Sequence, residues 1–155
     1  MLRHLLSRSP VALAAVFAAI AVTPAAFGDQ VYHSEHLALT PVGSAPLRSG
    51  FVENIHPNGP NVFAHEIYAL NGAERNTTYQ VTLFIFSSTT CEAGTLLAAI
   101  ETAQIQTNGS GNGVNDFFIS PDAIGGLHGA TIGVRWTMTS TTSSYETRCT
   151  TVTLD

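Results

Sequence analysis

The sequence predicts an all-β protein, an antiparallel sandwich or barrel of about seven strands with one disulfide. Short runs of β-branched and aromatic residues recur at even spacing, separated by Gly, Pro and Asn. No helix-period segment is long enough to supply the crossovers of a parallel sheet. The chain holds two cysteines, Cys91 and Cys149, an isolated pair of the kind that bonds in an oxidising compartment.

The compartment is read from the start of the chain. Arg3, His4 and Arg8 form a short positive head, and Val11 to Val22 is unbroken apolar sequence. That run has the length of a signal-peptide core and is too short to span a bilayer. Ala26 and Gly28 are spaced as the small residues of a cleavage site, which places cleavage after Gly28. Residues 1–28 are therefore read as a signal peptide, 29–46 as an N-terminal arm, and 47–155 as the β-domain. No later segment could cross a membrane as a helix, and the predicted location is secreted or periplasmic.

Within the arm, 37–40 reads as a short edge strand. Leu47 to Ile55 alternates, the turn chemistry of residues 56–61 follows, and Val62 to Leu70 returns. The run 78–86 is the most strand-like in the chain. Tyr79, Val81, Leu83 and Ile85 alternate with Gln80, Thr82, Phe84 and Phe86. Its second half is apolar on both faces, so the strand is expected to lie centrally and be covered on both sides. Residues 94–106 favour helix by propensity. The glycines that bound them closely, and their strand neighbours, argue for strand. Ser120-Pro121-Asp122 reads as a helix start that Gly125-Gly126 stops within about one turn. Ala130 to Thr139 places Ile132, Val134, Trp136 and Met138 on one face, with Trp136 as a core anchor. From Tyr145 to Leu154 the apolar phase changes, from odd positions through Cys149 to even Val152 and Leu154. A bulge near Thr150 or Thr151 would restore one face.

The element order, Leu70-Asn71-Gly72 ahead of Thr78-Tyr79-Gln80-Val81, and the one-turn helix before a Trp-bearing strand resemble an immunoglobulin-like or fibronectin type III-like sandwich over about residues 47–154. The resemblance implies a fold and carries no catalytic residues over. It departs from antibody-type domains, because the Trp lies late and the cysteines do not sit on the expected strands. In that strand order the Trp136 strand separates the strand before Cys91 from the one holding Cys149. Residues 87–91 must then bend across the sheet face or over its edge to make the bond.

Composition excludes some partners. Without residues 1–28, four arginines and no lysine stand against eleven acids, a formal charge of −7. Such a surface offers no footprint for a nucleic-acid backbone or an anionic membrane. Five histidines follow Gly28. His33, His36, His56 and His65 are the candidate metal ligands, two of them beside Glu35 and Glu66. On a strand, however, His33 and His36 would point to opposite faces. The loop 108–116 has oxygen side chains at alternate positions but lacks the carboxylates of a calcium loop. No GxSxG, P-loop or HExxH motif is present, and no cofactor or catalytic residue is assigned. The sequence reading is an exported, non-enzymatic module that meets a protein or glycan partner in the cell envelope or outside. The alternatives are a histidine-based metal-binding protein and, behind it, a small hydrolase.

Overall fold

The computed structural model describes residues 32–57 and 63–154. The predicted signal segment, residues 1–28, and its predicted cleavage site lie outside the described residues. The chain forms β1 (Tyr32–Pro41), β2 (Ser49–Pro57), β3 (Ala64–Asn71), β4 (Thr78–Phe86), β5 (Leu96–Gln106) and β6 (Gly113–Ile119). After the one-turn helix α1 (Pro121–Ile124) and a 3-10 turn come β7 (Ala130–Thr139), β8 (Ser144–Thr147) and β9 (Thr150–Leu154). All ladders are antiparallel. The strand order is β5-β4-β7-β8-β1-β2-β3-β6, with β9 also on β7.

The expectation of about seven strands in a sandwich is corrected in two respects. Among the described residues there are nine strands, because the arm contributes β1 at ten residues and the C-terminal run divides into β8 and β9. The sheet also comes close to closing on itself as a barrel. One reason is that β1 serves both halves: Tyr32–Ala38 pair with β2, and Leu39–Pro41 pair with β8. The other is that the end strands β5 and β6 meet. Asn115 Nδ2 donates to the Gln104 carbonyl at 2.7 Å, and a Cβ on Gly113 would stand 2.6 Å from Ile105 Cγ2.

Period-two patterning decides which side chains fill the interior. Tyr79, Val81, Leu83 and Ile85 of β4 and Ile132, Val134, Trp136 and Met138 of β7 are all buried, as the sequence indicates. β4 lies between β5 and β7, away from any edge. Residues 96–106 are a strand rather than a helix, and α1 tucks Ile124 into one end of the core.

The C-terminal phase change has the cause the sequence suggests, at a different place. Val134 pairs with Thr150, and Thr137 pairs with Glu146. Between those pairs β7 has two residues and the other strand has three, Thr147, Arg148 and Cys149. The extra residue is at Arg148–Cys149, not Thr150 or Thr151, and it flips the alternation. Thr147 Oγ1 accepts the Trp136 N–H at 3.1 Å there.

Cys91 and Cys149 are bonded, with Cα atoms 5.9 Å apart. β7 does separate β4 from β9, so the chain after β4 crosses the outside of β7. Gly133 makes the crossing possible, because a Cβ there would lie 2.3 Å from the Ser88 carbonyl oxygen. Thr151 Oγ1 donates to the Thr89 carbonyl at 3.4 Å, tying the crossing segment to β9.

Candidate functional site

The four candidate histidines lie on β1, β2 and β3, and the pleat sorts them onto two faces. His33 and His56 are register partners, stacked with ring centroids 5.4 Å apart. His36 and His65 point the other way, outward. His36 Nδ1 lies 2.8 Å from Glu53, whose carboxylate also accepts the Ser34 hydroxyl. That hydrogen bond, ahead of the one from His36, holds the Glu53 carboxyl below its usual range. His65 Nε2 lies 2.9 Å from Asp116 on β6. Among the described residues, no group of three His, Cys, Asp or Glu side chains is placed to hold a metal ion.

Facing inward, one row crosses three strands as Glu35, Asn54 and Glu66. Glu66 is 1% exposed. Burial pushes its carboxyl up to about 7, opposed by hydrogen bonding from Tyr68. The Tyr68 hydroxyl also lies 2.7 Å from Thr102 Oγ1. A hydroxyl has one proton, so Tyr68 donates to Glu66 when that carboxyl is ionised and accepts from Thr102. Burial, with Glu66 beside it, raises the Tyr68 hydroxyl in turn. Trp136 Nε1 is close enough to favour the ionised carboxylate but has no partner within hydrogen-bond geometry among the described residues. Burial also raises the Glu35 carboxyl, against the pull of His33 and Arg148. Glu66, Asn54 and His56 border a cavity of about 30 Å³, otherwise mostly apolar. It has room for water and not for an organic ligand.

The outer faces of the two halves of the barrel differ. Over β5, β4, β7 and β8 one row runs Gln104, Gln80, Thr139, Ser144, and the next runs Glu101, Thr82, Thr137, Glu146. These are solvated rows. Phe84 and Phe86 on that half are half-buried, Arg135 stands over the Phe86 ring, and Leu96 and Leu97 at the start of β5 are exposed, Leu96 opposite Phe86. Over β1, β2, β3 and β6 the composition reverses. One row is Ala38, Phe51, Ala69, Val114. A second is Ser34, Ile55, His65, Phe118. Between them lies His36, Glu53, Ile67, Asp116. Val114 is 72% and Phe118 53% exposed, although each had an inward alternative one residue away. The apolar positions thus flank a charged middle row; clustered exposed apolar residues mark a contact surface, whereas single ones do not.

Sequence reasoning singled out His36 and His65 but not their neighbours. Glu53 and Asp116 lie seventeen and fifty-one positions from their histidines, so only the register joins them. The loop 108–112 uses its oxygen side chain internally, since Asn108 Oδ1 accepts the Ser110 and Asn112 N–H groups. Compared with protein-family models, curated proteins and solved structures, the chain matches none. Among the described residues, no helix is long and apolar enough to cross a membrane.

Proposed function

We propose that this is an exported, non-enzymatic β-module, secreted or periplasmic, that works by contact through the outer face of β1, β2, β3 and β6. The exposed Val114 and Phe118 on that face, beside Phe51, Ile55 and Ile67, are the observation that carries the reading, set against the polar rows over β4, β7 and β8. The alternation of a strand lets a sequence choose which side chains meet water. Here Val114 and Phe118 meet it on one half of the barrel, while Thr82 and Thr137 meet it on the other. The disulfide fits an oxidising compartment. Glu66 is buried, and the cavity it borders has room for water only, which favours contact over catalysis. The immunoglobulin-like likeness belongs to this proposal as well, since such modules bind through sheet faces, edges and loops.

A photo-crosslinking amino acid at position 118 tests the reading, with position 82 on the opposite face as control. In the producing cells, position 118 is expected to give a discrete adduct and position 82 none. Equal adducts at both positions, or none at either, would remove the assignment.

A further inference from the structure

The way the partner is held can be narrowed further, and this step rests on the contact-face reading above. β1 has two edges. The edge toward β2 is paired from Tyr32 to Ala38, and the edge toward β8 is paired only from Leu39 to Pro41. The Val42 N–H donates to the Ser144 carbonyl at 2.9 Å on that second edge. Along an antiparallel strand, the N–H and C=O groups turn to alternate edges, residue by residue. Thr40, Ala38 and His36 therefore share the second edge with Val42, while the odd positions serve β2. Thr40 meets Glu146 there. Ala38 and His36 meet no strand, because the bulge at Arg148–Cys149 carries the opposite strand off to pair with β7 alone, as β9.

The fork so formed holds a hollow of about 340 Å³, bordered by His36, Ala38, Thr40, Glu146, Thr147 and Arg148. That volume lies within the range of ligand sites, unlike the interior cavity. Its walls define the occupant. His36 and Ala38 are exposed and offer N–H and C=O groups at strand spacing. Arg148 is exposed and makes no ion pair among the described residues, while Glu146 lies 3.9 Å from Arg135. From this edge we infer that the partner docks by adding an extended segment as a strand beside β1, with an Asp or Glu of that segment on Arg148. Main-chain bonds to His36 and Ala38 hold the segment, and the carboxylate selects it. Proteins usually blunt a free edge with Lys, Pro or a covering element. Here His36-Leu37-Ala38 carries neither residue. The added strand lies next to Ala38, the first member of the row Ala38, Phe51, Ala69, Val114. It extends the contact face by one strand, about 5 Å.

The test uses a phage-displayed library of random octapeptides, selected on the full-chain product purified from the producing cells. The enriched sequences are expected to alternate β-branched or aromatic residues and to carry Asp or Glu at one fixed position. As synthetic peptides they should slow amide exchange at His36 and Ala38. Ala38→Pro removes an edge N–H that β2 does not use, a change that an edge strand accepts. It should weaken these peptides about tenfold or more while the unfolding curve stays in place. Arg148→Ala, at an exposed position, should weaken them to a similar degree by removing the carboxylate's partner. No enriched sequence, or peptides indifferent to both variants, would overturn the inference. If it is overturned while position 118 still gives its discrete adduct, strand addition falls and the contact face stands. If no adduct forms either, both fall.

Discussion

Glu66 lies inside the barrel because β3 alternates and its partner residues face the core. The consequence is a pH-dependent stability. Its carboxyl is raised from 4.5 to about 7 in the fold, so the folded state holds the proton more tightly than the unfolded chain does. The stability linked to that proton is fully present below about pH 4.5 and is lost as pH rises through about 7. Glu66→Gln keeps a neutral hydrogen-bonding group in the same place. Relative to the natural chain, it should gain on the order of 3 kcal/mol between pH 4.5 and pH 8. Urea unfolding of both proteins at the two pH values measures this, and a constant difference would mean that Glu66 is ionised and solvated in the fold. Trp136 touches the same interior and is 1% exposed. Trp136→Ala removes a large anchor beside an existing cavity and should cost roughly 3–5 kcal/mol. A loss under about 1 kcal/mol would place the indole at the surface.

At the scale of elements, the disulfide depends on the crossing of residues 87–91 over β7. Gly133→Val would drive a side chain into the Ser88 carbonyl, and the segment would have to lift. The variant is expected to expose the crossing segment to a protease while β4 and β7 keep their amide protection. Protection unchanged at both would show that the crossing does not rest on Gly133. Cys91→Ser with Cys149→Ser should lower stability by a few kcal/mol and preserve the β-sheet spectrum, because the core is extensive without the bond. Complete unfolding would show the core to be insufficient alone. Much of this level was legible in the sequence. The alternation of β4 and β7, the one-turn helix after Ser120 and the pairing of the cysteines are local or compositional signals. β1 was harder, because HSEH offers little apolar alternation and the buried positions begin only at Leu37. The bulge could be inferred from phase but not placed, since its position depends on where β7 exchanges β8 for β9. The contact face needed the register of four strands, including β6, which is separated from β3 in sequence by two intervening strands.

For the whole molecule, export and use of the outer face of β1, β2, β3 and β6 are the two proposed properties open to test. Export predicts a chain that begins at Asp29, and mass spectrometry of the product outside the cytoplasm checks it. An intact Met1 would contradict it. The central claim is that the apolar face is the one in use. Carbene footprinting measures this directly, by comparing the protein in place in its producing culture with the purified protein at high dilution. The account predicts that Phe51, Ile67, Val114 and Phe118 are protected in place and labelled when dilute, with Thr82, Phe84 and Thr137 alike in both. Protection confined to the β4 and β7 face, or no difference on either face, would contradict it.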